Sequence, residues 1–575
     1  MRTQSGQAGV LNDDFADLPN LCEGRGEDRS GSTAMASFVN LDAMIQREDL
    51  DVTDNDPAQG KIGGELKLSD LEQTSPTFNI LRKPDFQRET ANWGPEKIAD
   101  MVESFLDGDL IPSVIVWRSN KSGKLFVIDG AHRLSALISW INDDYGDQSL
   151  SNEFFHGIIE NSQKRTAKKT RDLIAARLGS YQHLKGYVIK PDGAPNQAAL
   201  LRARNIGSFS ITLQDVRGDV AKAERSFLKI NQSATPIDPT ELIIIQARRK
   251  PNAIAARALV RSGVGHPYWG SFEAYKDKIA KLARDVYDNL FKPILEYPIR
   301  TLSLPAAGQA LTPDSLDLVF ALVNYVNQAE SPKKTPEIWR VPSPDGKSQV
   351  DLPDDNDGAA TFKFLTKVKE ATADVFGSSV GSLALHPGVY CYGATGRFQP
   401  TAFFAAIAFV RDLDLHKKFD TFTAARAKFE AFIIAYRHFI NQIVGEYGSQ
   451  LRGLPALLKM FKIILSGTLE DLSDSAIIEK IVSDPELSFI REISEDDRKY
   501  GRNFSRETSN AVYLKKALAA ELTCGICGAR IHAKTITLDH SVRKADGGDG
   551  APDNAQLAHP YCNHGYKEKL HAKGA

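Results

Sequence analysis

Two short pairs of metal-binding residues near the C-terminal end constrain this chain more than any other feature. Cys524 and Cys527 are separated by two residues, and the same spacing separates His559 and Cys562 further along. Together these residues offer three thiolates and one imidazole, which is a donor set for a closed tetrahedral Zn²⁺ site. A small segment with few apolar residues cannot form a sufficient hydrophobic core, so it needs the folding energy that a bound metal ion supplies. The spacing therefore predicts a structural zinc site on these four residues, with His564 and His571 as rivals of His559.

The bulk properties set limits on the class of protein. A chain of 575 residues is too long for one hydrophobic core, and 71 basic against 73 acidic residues leave a net charge of −2. That balance neither supports nor excludes a nucleic-acid partner, because phosphate contacts can be local. No stretch approaches the roughly 18 apolar residues of a membrane span, and the N-terminal segment does not have the pattern of a secretion signal. We therefore expect a cytoplasmic protein with no membrane partner.

The hydrophobic pattern changes several times along the chain. Apolar residues at helical spacing over 96–106, followed by two short apolar runs and a second helical run after Asp129-Gly130, predict a mixed α/β region. Long amphipathic helices predict a mostly helical middle region. The fold class is therefore α+β multidomain, with five expected parts: a flexible N-terminal arm (1–64), an α/β domain (65–255), a helical connector (256–493), a linker (494–515) and a zinc-stapled ββα module (516–575).

The segment between the two metal-binding pairs carries a second pattern. Asp539-His540 ends a short apolar strand, a glycine-rich loop follows from Asp546 to Gly550, and Asn554 and Asn563 come after it. In order and spacing, this tail resembles the HNH (ββα-metal) endonucleases over its whole length. The tail departs from the usual family pattern at His559, where a cysteine is more common, and histidine is an equally good zinc ligand.

The resemblance implies a role for each of these residues. His540 would be the general base, because its pKa lies near physiological pH. Asp539 and Asn563 would hold a catalytic Mg²⁺ or Mn²⁺ through oxygen atoms. Asn554 would pin the loop backbone and orient His540, and Lys567 would contact the substrate phosphate. Two other interpretations stay open: a zinc ribbon that only binds DNA or protein, and an Asp-His turn pair without chemistry.

A second set of motifs lies in the predicted α/β domain. It consists of PDFQR (84–88), Trp93, SFLDGDLIPSVIVW and VIDGAHRLSAL, followed by FLKINQ (227–232) and IDPTEL (237–242). These motifs resemble the ParB-like DGQQR/DGQHR domain of GmrSD-type, modification-dependent restriction enzymes and related antiphage proteins. The resemblance extends over roughly residues 66–249. It implies a domain that senses DNA or nucleotide and gates the nuclease.

An anion pocket is expected where the first strand pair of this domain leads into a helix. Backbone N–H groups at such a turn can face a phosphate, and arginine can bind one through two hydrogen bonds. The predicted phosphate-binding residues are Arg88, Asp129, Gly130, His132 and Arg133. Ala131 replaces the glutamine that often follows the glycine, which weakens the case for nucleoside triphosphate hydrolysis but not for binding. The alternative is an Asp–Arg pair that only ties the turn together.

Together these patterns predict a metal-dependent DNA endonuclease of the restriction or antiphage type. The expected cofactors are Zn²⁺, Mg²⁺ or Mn²⁺ and, as an option, a nucleoside triphosphate. The expected partners are foreign or modified DNA and, for cutting both strands, a second copy of the chain. Two alternatives remain: a nucleotide-switched DNA-binding adaptor with a non-cleaving zinc tail, and a mobile-element HNH endonuclease.

Overall fold

The computed structural model describes most of the chain from residue 38 to residue 574. The described residues are 38–48, 50, 64–85, 87, 90–91, 93–157, 159, 161–233, 238–263, 268–310, 312–331, 338–492 and 504–574. Arg88, most of the expected arm and most of the first half of the expected linker lie outside them. Among the described residues, 38–248 with Tyr268 form one compact unit, and 249–263 with 269–574 form another. No helix in these ranges has the length and apolar character of a membrane crossing.

A six-stranded mixed sheet organises the first unit. Its strand order is β1-β3-β5-β4-β6-β2, with the antiparallel pairs β4–β5 and β2–β6 and parallel pairing elsewhere. The strands are β1 (Gln46–Glu48), β2 (Glu65–Lys67), β3 (Leu81–Pro84), β4 (Val114–Arg118), β5 (Leu125–Asp129) and β6 (Ser210–Asp215). The strand pair predicted from the two apolar runs is therefore confirmed as β4 and β5.

Nine helices surround this sheet. They are α1 (Pro76–Ile80), α2 (Pro95–Asp107), α3 (Ala131–Ile141), α4 (Ser149–Phe154), α5 (Asn161–Arg177), α6 (Tyr181–Ile189), α7 (Gln197–Ser208), α8 (Val220–Ser233) and α9 (Pro239–Gln246), counted over the described residues. Helices α2 and α3 bury their apolar faces in one core with β3, β4 and β5. This core fixes the turn between β5 and α3, where the predicted phosphate pocket lies.

Part of the expected N-terminal arm belongs to this core. Strand β1 pairs in parallel with β3, and Val39, Leu41 and Met44 just before it are almost fully buried. The polar residues around them hid this short apolar run in the sequence. Residues 38–48 are thus a strand and a turn of the first unit, not an extended arm.

The second unit is mostly helical, as the sequence predicted. Its helices are α10 (Pro251–Val260), α11 (Lys276–Phe291), α12 (Pro313–Asn327), α13 (Ala359–Phe376), α14 (Pro387–Tyr390), α15 (Pro400–Leu415), α16 (Phe419–Ala435), α17 (His438–Tyr447), α18 (Leu454–Leu469), α19 (Asp474–Ser483), α20 (Arg506–Ala519) and α21 (Lys567–Gly574). Within the described part of this unit, two hairpins pair β7 (Arg340–Pro342) with β8 (Gln349–Asp351), and β9 (Thr537–His540) with β10 (Ala555–Ala558). Aromatic rings fill its core; for example, Phe409 stacks on Phe429 at 5.4 Å between centroids.

Helix α20 occupies the C-terminal part of the expected linker. It begins at Arg506 after a Ser505 cap, and the buried side chain of Asn510 accepts a hydrogen bond from the Ile299 backbone at 2.9 Å. Leu514 is also buried. The charged sequence hid these few inward-facing residues, so the described part from 504 onward is a packed helix and not a free connection.

Candidate functional site

The four predicted zinc ligands lie together. The Sγ atoms of Cys524, Cys527 and Cys562 and a ring nitrogen of His559 all lie within 4.8 Å of one another. The His559 Nδ1 atom lies 3.4 Å from Cys527 Sγ and 3.8 Å from Cys562 Sγ. Zinc–ligand bonds of about 2.0–2.3 Å in a tetrahedron place the donor atoms roughly 3.5–3.8 Å apart. The donor set and its spacing therefore fit Zn²⁺.

Tight local turns bring the two pairs together. The Gly528 N–H donates to the Cys524 carbonyl at 2.8 Å, and Gly528 has a φ of +72°, a conformation that favours glycine. The Gly525 N–H donates to the Leu557 carbonyl at 2.8 Å, which ties this turn to strand β10 just before His559. The first pair is thus held at the end of β10, and the second pair follows that strand directly.

A backbone carbonyl fixes the orientation of His559. Its Nε2 lies 3.0 Å from the Arg530 carbonyl, which can only accept, so Nε2 carries the proton and Nδ1 faces the thiols. Burial, followed by the positive charge of Arg426, lowers the pKa of His559 and favours the neutral ring that a metal requires. The rival His564 instead bonds the Pro560 carbonyl at 3.1 Å, and His571 is exposed. The cluster therefore contains His559 and neither rival.

The hairpin beside the zinc cluster carries the predicted catalytic residues. Antiparallel pairing of β9 with β10 sets Asp539 opposite Gln556, and the Gln556 amide donates to the Asp539 carboxylate at 2.8 Å. The Lys567 ammonium, at the start of α21, lies 2.9 and 2.8 Å from the two carboxylate oxygens. Lys567 also donates to the His540 carbonyl. Asp539 is therefore buried, oriented by Gln556 and neutralised by Lys567, which the sequence had assigned to substrate phosphate.

His540 is more accessible than Asp539. Neighbouring residues of a strand point to opposite faces, so His540 shares its face with Leu538, whose side chain is 70% exposed. The His540 ring makes no hydrogen bond to another residue in the described ranges. An accessible ring without a protein partner has both nitrogens available to a substrate or a water molecule, as a general base requires.

Asn554 fastens the loop that follows His540. Its Oδ1 accepts from the Val542 N–H at 2.7 Å, and its Nδ2 donates to the carbonyls of Val542 (3.1 Å) and Asp549 (2.7 Å). The Asn554 carbonyl also accepts from the Ser541 N–H at 2.8 Å. A Cβ atom on Gly548 would lie only 1.8 Å from the Val542 carbonyl oxygen, so this packing requires glycine. Asn554 thus pins the backbone of this loop, and the orientation of His540 by Asn554 stays a prediction.

Asn563 lies on the same side of the hairpin as Asp539. It belongs to a short π-helical turn, Cys562–Tyr566, that leads directly into α21. Its Nδ2 donates to Thr537 Oγ1 at 3.2 Å and to the Leu538 carbonyl at 2.9 Å. Because the amide nitrogen is used by strand β9, the side-chain oxygen is the atom that remains for a cation.

The second predicted site, in the first unit, is held together by its own side chains. The Arg133 guanidinium donates to Asp129 at 2.8 Å and to the Ser113 carbonyl at 3.1 Å. Gly130 caps helix α3 with a φ of +94°, and a Cβ there would lie 2.9 Å from Val114 Cγ2. These contacts match the alternative in which an Asp–Arg pair ties the turn.

The remaining pocket residues face other partners. The His132 ring lies against the Trp93 ring at 5.6 Å between centroids, and Lys97 Nζ lies 4.7 Å from the same Trp93 ring. The nearby Gln87 side chain is buried, and its Oε1 has no hydrogen-bond partner among the described residues. The structure thus brings Asp129, Gly130 and Arg133 together, while His132 packs on Trp93.

Comparison with known families agrees with both resemblances. The family model of the GmrSD restriction endonuclease N-terminal domain matches residues 68–245, and that of the HNH endonucleases matches residues 524–569. A search of curated proteins and a search of solved structures each gave no match. The two matched domains and their order match the GmrSD-type architecture, and the HNH nuclease domain implies a metal ion and DNA as the substrate.

Proposed function

We propose that this chain is a metal-dependent DNA endonuclease of the restriction or antiphage type, with His540 as the general base. The observation that carries the proposal is the arrangement around β9. His540 is accessible on one face, Asp539 is buried on the other, and Asn554 clamps the loop that follows. Phosphodiester hydrolysis requires an activated water beside a cation site, and this hairpin provides groups for both.

The chain's own residues divide the chemistry between the two faces. The His540 imidazole accepts the proton of the attacking water. Asp539 and Asn563 would hold a Mg²⁺ or Mn²⁺ ion, which would supply stabilisation of charge on the scissile phosphate. Gln556 keeps the Asp539 carboxylate oriented through its 2.8 Å hydrogen bond. Lys567 forms an ion pair with Asp539 at 2.8 Å, and in this proposal it contacts the substrate phosphate when a metal ion holds Asp539.

In this proposal, the first unit regulates the nuclease. Its GmrSD-like domain senses DNA, nucleotide or both, and thereby restrains a nuclease that would otherwise endanger its own cell. Arg133 must leave Asp129 to bind a phosphate, and their partly exposed pair can open at modest cost. Nucleoside triphosphate hydrolysis is an optional part of the proposal. We place the enzyme in the cytoplasm and expect two copies where both DNA strands are cut.

The catalytic assignment is tested by plasmid cleavage with Mg²⁺ or Mn²⁺. We expect His540→Ala to lower the cleavage rate by about 10²–10⁴-fold, because a general base contributes on that order. Zinc content and DNA binding should stay at the level of the unmutated protein. His571→Ala is the matched control, since His571 is an exposed histidine of the same module. Equal nicking by the unmutated protein and His540→Ala would refute the assignment.

The same assay separates the two alternatives. A nucleotide-switched adaptor with a non-cleaving tail would bind DNA without added metal and would not nick it. A mobile-element endonuclease would cut unmodified DNA at a specific site. The proposed enzyme should instead respond to DNA modification or to added ATP, GTP or CTP. The assay is therefore run on modified and unmodified DNA, each with and without nucleotide.

A further inference from the structure

The zinc cluster packs against the helical part of its own unit. The Glu430 carboxylate, on helix α16, accepts from the Arg530 N–H at 3.1 Å, and the Arg530 carbonyl accepts from His559 Nε2 at 3.0 Å. The backbone of Arg530 therefore connects helix α16 to the predicted zinc ligand His559. Two further contacts lie nearby: the Tyr561 hydroxyl donates to Asp420 at 2.6 Å, and Lys534 Nζ donates to the Asp288 carbonyl at 2.6 Å.

Glu430 is held in place by a fully buried ion pair. Arg426 Nε donates to Glu430 Oε1 at 2.8 Å, and the two side chains are 1% and 0% exposed. The other guanidinium nitrogens donate to the carbonyls of Leu383 (2.6 Å) and Ala384 (3.2 Å). The Tyr390 hydroxyl donates to the same carboxylate oxygen at 3.2 Å. Burying such a pair costs several kcal/mol per ion, so it calls for a reason other than stability alone.

The position of this pair beside the zinc cluster supplies that reason. The Glu430 carboxylate accepts from Arg426 Nε through one oxygen and from the Arg530 N–H through the other, and the Arg530 carbonyl accepts from the predicted zinc ligand His559. The buried ion pair therefore holds the residue that orients His559.

We propose that Arg426 and Glu430 are positioning residues of the zinc centre, so that helix α16 completes the metal site of the HNH module. Glu430 holds Arg530, whose carbonyl orients His559, and Arg426 holds the Glu430 carboxylate in place. Outer partners of metal ligands tune affinity, typically by 10–100-fold. Zinc binding and packing of the module on α16 then strengthen each other, because two linked equilibria favour each other equally. This inference depends on the zinc site and not on DNA cleavage.

The test measures zinc affinity in the full chain by competition with a chromogenic chelator. We expect Glu430→Gln and Arg426→Met each to weaken the apparent affinity 10–100-fold. Arg426→Lys should recover part of it, because lysine keeps the charge but cannot reach both carbonyls and Glu430. The matched control is Lys428→Met, on the same helix but in an exposed pair with Asp471. Its zinc affinity should not change.

Cobalt substitution gives a second readout that a purely structural role would not alter. Co²⁺ bound to thiolates absorbs visible light according to its geometry, so a displaced His559 should change the spectrum of Glu430→Gln. Should Arg426→Met fail to fold, the nearly isosteric Glu430→Gln decides the question alone. Unchanged zinc affinity and an unchanged cobalt spectrum in folded Glu430→Gln would overturn the proposal, whatever the cleavage assay shows.

Discussion

Asp129 and Asp539 both lie near the end of a strand, one in each unit. Each forms an ion pair with a basic side chain at 2.8 Å, Asp129 with Arg133 and Asp539 with Lys567. The Asp129–Arg133 pair joins residues four positions apart, and its side chains are 33% and 21% exposed. The Asp539–Lys567 pair joins residues 28 positions apart, and its side chains are 7% and 9% exposed. One pair is thus local and partly hydrated, while the other depends on the whole ββα module.

The difference in burial leads to different expectations for the two pairs. A partly exposed ion pair contributes about 0–1 kcal/mol, so Arg133 can exchange Asp129 for a ligand phosphate. A buried carboxylate without a partner is far more costly, so Asp539 always needs a cation, either Lys567 or a metal ion. The first arrangement suits a site that responds to a ligand, and the second suits a fixed catalytic centre.

Zinc removal should produce the largest difference between the two pairs, because it should affect the module around Asp539 and leave the sheet around Asp129 unchanged. The apolar cluster of the module contains only four buried residues, Cys524, Ile531, Ala558 and Cys562, so we expect the module to need a metal ion in order to fold. A chelator should therefore remove stabilisation on the order of 10 kcal/mol from the module and abolish cleavage. Amide hydrogen exchange should rise in 524–571 and stay unchanged in the sheet around Asp129. Undiminished protection of 524–571 in zinc-free protein would contradict the proposed zinc staple.

Lys567→Met should have the next largest effect. It leaves the buried Asp539 carboxylate without its cation, which costs about 3–5 kcal/mol, and thermal unfolding of the module would report the loss. Because Mg²⁺ or Mn²⁺ can neutralise the same carboxylate, millimolar metal should restore most of the stability. The control is Lys569→Met on the same helix, whose pair with Asp420 is 55% and 35% exposed and should matter by less than about 1 kcal/mol. Equal losses in both variants would remove the distinction between the pairs.

These contacts show where reasoning from the sequence succeeds. The zinc ligands, the β4–β5 hairpin and the start of α3 follow from short-range spacing, because a few neighbouring residues determine each of them. Gln556 is different: only the register of β9 with β10 sets it opposite Asp539, and the sequence does not state that register. A predicted pairing of the two strands, Thr537 with Ala558, would have revealed it.

Contacts between segments that are far apart in the chain could not be predicted from the sequence either. The resemblance implies that Lys567 contacts the substrate phosphate, and it gives no sign of the ion pair that the Lys567 ammonium forms with Asp539. Glu430 meets Arg530 across about 100 residues of chain, within a helix whose pattern indicates only a core. A charged residue in an otherwise apolar helix, such as Glu430, indicates that a buried partner exists, but it does not indicate which residue that partner is.

Acid should weaken the unit that contains Asp539. His532 is buried in the HNH module beside His386, and burial, followed by the charge of Lys534, lowers its pKa to about 4. The unfolded chain binds this proton near pH 6.5, so the stabilisation is complete above that pH. It falls by about 1.4 kcal/mol per pH unit towards pH 4, roughly 3 kcal/mol in all.

His532→Phe isolates this effect from acid release of zinc, which both proteins share. Relative to the unmutated protein, the variant should gain about 3 kcal/mol in free energy of unfolding between pH 8 and pH 4. The comparison uses urea unfolding at each pH, with zinc content measured alongside. Parallel stability profiles for the two proteins would show that His532 takes up its proton equally in the folded and unfolded states.

Arg133→Gln should have the smallest effect on stability and the most informative effect on ligand binding. Loss of the partly exposed pair should change the free energy of unfolding by no more than about 1 kcal/mol. If Arg133 binds phosphate, affinity for labelled ATP, GTP or CTP should fall at least tenfold, because an arginine–phosphate contact is charge-assisted. Arg118→Gln, an exposed residue at the end of β4 in the same unit, controls for the change in charge. If the unmutated protein binds none of the three nucleotides, Asp129 and Arg133 only tie the turn, and control of the nuclease must then come from DNA contacts elsewhere in the domain.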